Sequence, residues 1–272
     1  MYKTILAYLP SAESAGLLSE VGGYLAEKCR AHLIGAHNSA RITLYGGIPS
    51  EYLAQHNQRQ RQEADSIRQD FEKTVSARGV SHEWRHHAMK DTDAFADIVA
   101  AARTADLIVA GGKGQEDPLG RWYDLPIRLV LESGRPTLLI PADGKFATMG
   151  ERITVAWNHT RESARAAFDA LPLLKTASWV RILAVNSPHG GVKAPSEELA
   201  TTLARHGVNV EPAVSNTTER SEGEELLGEV ERTNSDMLVM GCYGHSRLRE
   251  TVLGGATRYV LSHMSKPVLL SH

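Results

Sequence analysis

The chain has 272 residues, with 30 Lys and Arg against 32 Asp and Glu, a formal net charge of −2, and 42% hydrophobic residues. No basic block is present, so no nucleic-acid partner is implied, and no stretch approaches the ~18 apolar residues of a membrane span. Cys29 and Cys242 stand at unrelated positions in the two halves, which speaks against a disulfide framework and for a reducing, cytoplasmic setting.

The amino terminus, Met-Tyr-Lys-Thr-Ile-Leu-Ala-Tyr-Leu-Pro10, has neither the apolar run nor the small-residue cleavage site of a secretory signal and reads as a first strand. Strands are expected near Thr4–Tyr8, His32–His37, His82–His86, Leu107–Gly111 and Thr137–Ile140. Arg41 to Pro49 reads as a loop, with turn signals at Gly46-Gly47 and Pro49. Ser50 then caps a helix with Leu53, Gln60, Ala64, Ile67, Phe71 and Val75 on one stripe, stopped at Arg78-Gly79. After the turn-rich segment Asp143 to Gly150, further strands are expected near Ile153–Trp157, Val180–Val185, Asn209–Val214, Met237–Gly241 and Val268–Leu270. Strands alternating with helices predict two tandem α/β domains, residues 1–142 and 151–272, each an open, mostly parallel sheet with helices on both faces.

The two halves are copies of one unit. Thr104-Ala-Asp106-Leu-Ile-Val-Ala-Gly111-Gly-Lys-Gly114 parallels Asn234-Ser-Asp236-Met-Leu-Val-Met-Gly241-Cys-Tyr-Gly244 at an offset of 130. Arg135-Pro136 parallels Lys266-Pro267 at an offset of 131. Leu6-Ala7-Tyr8 with Ser11-Ala-Glu13-Ser14 parallels Val155-Ala156-Trp157 with Thr160-Arg-Glu162-Ser163 at an offset of 149. Three blocks in the same order make a domain-sized repeat, and the falling offset puts about 19 extra residues between Ala40 and Gly79.

The last copy carries the chemistry. An apolar strand runs into Gly241-x-x-Gly244 and is followed, after nine intervening residues, by Gly254-Gly255-Ala256-Thr257. Leu248, Val252, Ala256, Tyr259, Val260 and Met264 then recur at helical spacing. A glycine loop between a strand and a helix exposes backbone N–H groups and a helix N-terminus, which suits a phosphate, and a side chain there would hold the anion away.

This Gly-x2-Gly-x9-Gly spacing, with Ser265-Lys266-Pro267-Val268-Leu269-Leu270 as the next strand, resembles the nucleotide-binding signature of the universal stress protein family. The likeness to a tandem member covers essentially the whole chain. It implies an adenine-nucleotide α-hydrolase-like fold and a cytoplasmic stress-response protein holding ATP, with or without Mg²⁺, in its C-terminal domain. By the resemblance, Gly241, Gly244, His245, Ser246, Gly254, Gly255 and Ala256 form the phosphate loop. Ala156 and Val185 line the base, and Asn158 stands where the family usually has an Asp that contacts base or ribose. Two departures are evident: Asn158 lacks the charge, and Gly255 replaces the hydroxyl residue that usually follows the final glycine. In such families the last strand often pairs across a dyad, so the halves are expected to form an internal pseudo-dimer; whether two chains also form a homodimer stays open.

The first half departs further. Leu9 and Pro10 replace the polar pair after the first strand, and Asp124-Leu125-Pro126 stands where the second glycine block belongs. An Asp there repels phosphate and Pro126 has no N–H to offer, so no phosphate site is expected. Gly120-Arg-Trp-Tyr123 reads as an aromatic packing patch, with a wall of another pocket or an interdomain contact as the alternative.

Other features weigh less. His82 and His86 on one strand lie about 13 Å apart, too far to share a metal ion, and His87 adds no partner. Cys242 beside a helix N-terminus is either a redox-responsive thiol or a buried inert one. No Ser-His-Asp set, paired carboxylates or Walker ending can be assigned, so catalytic residues are not named and turnover is at most a slow ATPase reaction. Three functions remain: a nucleotide-binding regulatory module, a non-nucleotide scaffold or small-ligand carrier, and a slow ATPase.

Overall fold

Among the residues that the computed structural model describes (1–39, 50–88, 95–112, 124–146, 148–186, 195–242 and 255–272), ten segments form strands, most of them apolar runs. The chain divides into two compact units, one spanning Tyr2–Gly111 and the other Gly112–His272.

The first unit runs β1 (Thr4–Tyr8), α1 (Ala12–Cys29), β2 (His32–Ser39), α2 (Ser50–Ser76), β3 (His82–Ala88), α3 (Ala96–Ala102) and β4 (Leu107–Gly111). Its strands lie in the order β3-β2-β1-β4, all parallel. Ile5, Leu6 and Ala7 of β1 are fully buried, as a central parallel strand covered on both faces requires. The helix expected from Ser50 forms, and Ala64, Ile67, Phe71 and Val75 of its stripe are buried. Phe71 lies directly on β2 at Gly35, where a Cβ would come within 2.8 Å of its ring. Gly79, at φ +66, supplies the left-handed residue that ends the turn after α2.

The second unit runs α4 (Asp124–Ser133), β5 (Thr137–Ile140), β6 (Arg152–Ala156), α5 (Arg161–Asp169), α6 (Leu171–Leu174), β7 (Trp179–Val185), α7 (Pro195–Arg205), β8 (Val210–Ser215), α8 (Glu222–Arg232), β9 (Met237–Gly241), α9 (Gly255–His263) and β10 (Val268–Ser271). Its strand order is β5-β10-β9-β6-β7-β8. All neighbours are parallel except β5 and β10, which pair antiparallel through Leu139↔Val268, Leu138↔Leu269 and Thr137↔Leu270. The repeat seen in the sequence ends after β5, yet compactness divides the chain after Gly111, because α4 and β5 pack with β10. From β6 the chain moves outward to β7 and β8; from β9 it moves the opposite way to β10. Right-handed crossovers therefore place the connecting helices on opposite faces of this sheet.

The repeat is visible in shared anchors. Asp106 accepts hydrogen bonds from the backbone of Lys3 (2.7 Å) and Thr4 (3.0 Å) at the start of β1. Asp236, its counterpart, accepts from Gly150 (3.0 Å), Glu151 (3.0 Å) and Arg152 (3.2 Å) at the start of β6. Between β7 and α8 the buried Glu229 is paired by Arg181 at 2.6 Å and by Arg232, and Glu225 by Arg220 and Arg232. Buried carboxylates are tolerated only with such partners.

Candidate functional site at the strand switch of the second unit

β6 and β9 are neighbours, with Val155 opposite Val239, and the strand order reverses between them. In open α/β sheets a ligand sits outside the carboxyl ends of the strands at such a reversal. Ala156, Trp157 and Asn158 leave the sheet there from β6, and Gly241 and Cys242 from β9. Val185 ends β7, the strand next to β6, and Gly255 and Ala256 open α9. Six of the residues singled out by sequence thus lie at strand ends and a helix start of this unit. Gly244, His245, Ser246 and Gly254 lie outside the described residues, as do Gly114 and Gly120–Tyr123.

The turn after β6 is built by side chains. Asn158 Oδ1 accepts from the Thr160 hydroxyl (2.8 Å) and the Thr160 backbone N–H (3.3 Å), while its amide NH₂ donates to none of the described residues. Thr160 in turn caps α5 by accepting from the Ser163 N–H at 3.3 Å. Between them His159 takes a left-handed φ of 60, and its ring lies 5.1 Å from that of Trp157. At the end of β7 Asn186 has φ 47, and its side chain ties this strand end to the segment after β8 by accepting from the Thr217 N–H at 2.8 Å. The Asn158 bond to the N–H two residues on is the Asx-type turn that favours Asn at strand ends.

Gly241 has a packing reason to be glycine. A Cβ there would lie 2.4 Å from the Glu162 carbonyl carbon and 2.5 Å from the Ser163 nitrogen, so β9 meets the first turn of α5 backbone to backbone. Cys242 follows, fully buried. Burial first, and the Glu162 carboxylate second, push its thiol up to about 12, so it is the inert thiol and not the redox-responsive one. Its N–H donates to the Ser271 carbonyl (2.9 Å), and its carbonyl accepts from His272 Nδ1 (3.1 Å). Glu162, 7% exposed, is paired with Arg161 at 2.9 Å. Burial pushes its carboxyl upward, but its own backbone N–H, Arg161 and His272 together outweigh that and hold it below the usual range. Reading the sequence did not single out Glu162, Ser271 or His272. The signal was present in the repeat, where Ser271-His272 stands against Ile140-Pro141.

In the first unit the corresponding strand ends are tied to one another. His37, 2% exposed, bonds the Leu9 carbonyl through Nδ1 at 2.7 Å, and the Tyr8 hydroxyl donates to Asn38 at 2.7 Å. The His37 ring stacks on His86 and Trp84, with centroids 5.6 and 6.1 Å apart. His86 also bonds the Ser39 hydroxyl (2.7 Å) and His82 the Val80 carbonyl (2.8 Å). Among the described residues no group of three His, Cys, Asp or Glu is placed to hold a metal ion. Asp124, Leu125 and Pro126 form the first turn of α4, and Gly112 is closed against Met264, 2.9 Å from a built Cβ. No described helix is long and apolar enough to cross a membrane.

Comparison with known proteins agrees with this fold. The model of the universal stress protein family matches residues 149–272. No curated protein matches the chain. Among solved structures, a universal stress protein from Archaeoglobus fulgidus DSM 4304 is 17% identical, with a TM-score of 0.73 over 98% of this chain and 95% of its own. A functionally unknown protein from Pseudomonas aeruginosa PAO1 is 15% identical, with a TM-score of 0.62 over 99% of this chain and 92% of its own. At such identities the likeness speaks for the shared open α/β fold.

Proposed function

We propose that this chain, whose residues 149–272 form a universal stress protein domain, is a stress-response regulatory module holding ATP or a related adenine nucleotide in its C-terminal domain, residues 151–272. The observation that carries the reading is the convergence of Ala156, Asn158 and Gly241 on one strand reversal, with Val185 ending the adjoining strand. The groups present fit such a ligand. Asn158 has an exposed amide NH₂, donating to none of the described residues, for a base edge or ribose hydroxyl. Ala156 and Val185 flank it, and the start of α9 at Gly255 and Ala256 offers N–H groups to phosphate, continuing a loop that takes in Gly244, His245, Ser246 and Gly254. When bound, Mg²⁺ would offset the phosphate charge.

In this reading the domain of residues 1–142 is a pseudo-subunit. The Tyr8–Asn38 and His37–Leu9 bonds support that role, since they occupy the polar groups at its strand ends. The antiparallel pairing of β5 with β10, the last strands of the two repeats, supports an internal pseudo-dimer. The working compartment is the cytoplasm.

A second reading, a scaffold or small-ligand carrier that kept the fold without the nucleotide, is favoured by two details. Asn158 Oδ1 is already taken by Thr160, and close packing alone accounts for Gly241. Mass spectrometry of ligand released from freshly purified protein separates the two. The nucleotide reading predicts released adenine nucleotide, depleted in Gly244→Val; protein that releases none and gains none on incubation with ATP supports the scaffold.

A further inference from the structure

We propose that His272, the residue after β10, is a positioning residue for the phosphate loop of the C-terminal domain, an inference that rests on the nucleotide reading above. A carbonyl only accepts, so the 3.1 Å contact with the Cys242 carbonyl requires the proton on His272 Nδ1. Peptide groups are planar, so holding that carbonyl fixes the plane of the unit leading from Cys242 into the loop. The Cys242 N–H is held as well, by the Ser271 carbonyl at 2.9 Å. Two consecutive residues of β10 and its end thus clamp the loop's first residue from both sides.

The clamp has a polar backing that strand pairing alone does not need. The Glu162 carboxylate, buried in the first turn of α5, acts on both His272 and Cys242. The Ser271 hydroxyl is 1% exposed and has no hydrogen-bond partner among the described residues. The other half of the repeat serves as an internal control. Ile140 and Pro141 stand where Ser271 and His272 do, and Glu13, the counterpart of Glu162, is exposed. Pro141 has no side-chain donor. The half with Asp124-Leu125-Pro126 in place of the second glycine block therefore lacks the buried acid, the hydroxyl and the imidazole together. The polar strand end accompanies the intact glycine loop.

Two substitutions separate positioning from simple packing. In His272→Asn the side-chain amide hangs on Cγ, as Nδ1 does, and keeps the donor; in His272→Gln the amide lies one bond further out and loses it. Titration with ATP and with adenosine, which has no phosphate, should show ATP weakened about tenfold in the Gln variant, the worth of roughly one hydrogen bond. The Asn variant should stay within about twofold of the wild type, and adenosine should bind all three alike. Equal ATP affinity in all three, or an equal loss of ATP and adenosine in the Gln variant, overturns the proposal. Amide hydrogen exchange across residues 241–256 without nucleotide decides it independently. Faster exchange in the Gln variant but not in the Asn variant is expected, and no difference overturns it. A wild type that binds no ATP would sink the nucleotide reading, and exchange would still judge the clamp.

Discussion

Gly241 shows how one residue type answers to two demands. In the sequence it reads as a glycine that lets phosphate approach the backbone; in the structure its missing side chain lets β9 touch the α5 backbone at Glu162 and Ser163. Gly241→Ala should therefore destabilise the protein by about 2 kcal/mol or more with or without nucleotide, measured by urea unfolding. An Ala variant as stable as the wild type would contradict that packing. Cys242, with its thiol pushed up to about 12, should react with iodoacetamide at pH 8 only on unfolding. A thiol alkylated at a free-cysteine rate in the native state would refute its burial. His37 gives a pH dependence of definite sign. Burial lowers its pKa, outweighing the Leu9 carbonyl and Glu63, which favour the charged form, and His86 adds to the lowering. The unfolded chain then binds the proton more readily, so this stability is present above the unfolded value of about 6.5 and is lost as pH falls from there toward the folded pKa. His37→Asn, which keeps the donor to Leu9 without titrating, should flatten the fall in stability between pH 7 and 5. A buried thiol at Cys242 was one of the two readings the sequence allowed, but the environments of Gly241 and His37 were not legible from residue type, because each depends on which backbone the fold brings alongside.

Secondary elements were the most legible level. Apolar runs such as Leu107–Gly111 and Met237–Gly241 could only be strands buried on both faces, and they are. In α2 the stripe Ala64, Ile67, Phe71, Val75 was readable because helical spacing repeats it, whereas the amino-terminal turns, with Tyr52 58% exposed, gave less to read. Phe71→Ala should cost about 3–5 kcal/mol, since it empties the space over Gly35 that only a ring fills. α8 begins with a reciprocal cap: Ser221 accepts from the Glu224 N–H, and the Glu224 carboxylate accepts from the Ser221 N–H at 2.7 Å. Ser221→Ala should cost about 1 kcal/mol in thermal or urea unfolding, and a loss below a few tenths would mean that the cap does not hold the helix. The Asx turn at Asn158, the bond from Thr217 to Asn186 and the side-chain cap at Thr160 were less legible, because the same residues also suit ligand contact. The candidate site was accordingly read as a set of strand ends, while the groups that hold it in place were missed.

For the whole molecule, the repeat was legible because Asp106 and Asp236 keep the same anchoring duty at matched positions. The antiparallel β5–β10 pairing was not legible from pattern, since both are short apolar runs with no directional signal; it came only with the resemblance. On the proposed reading one half keeps a nucleotide site, while the other ties its strand ends to one another. ATP at about a hundred times its Kd should then stabilise the chain by about 2.7 kcal/mol against unfolding. The most direct test is calorimetric titration of ATP with Mg²⁺ into the full chain and into Gly244→Val. One saturable site per chain, abolished by the substitution, is expected. Two equivalent sites would contradict the loss of the first, and no heat at all would contradict the nucleotide reading itself.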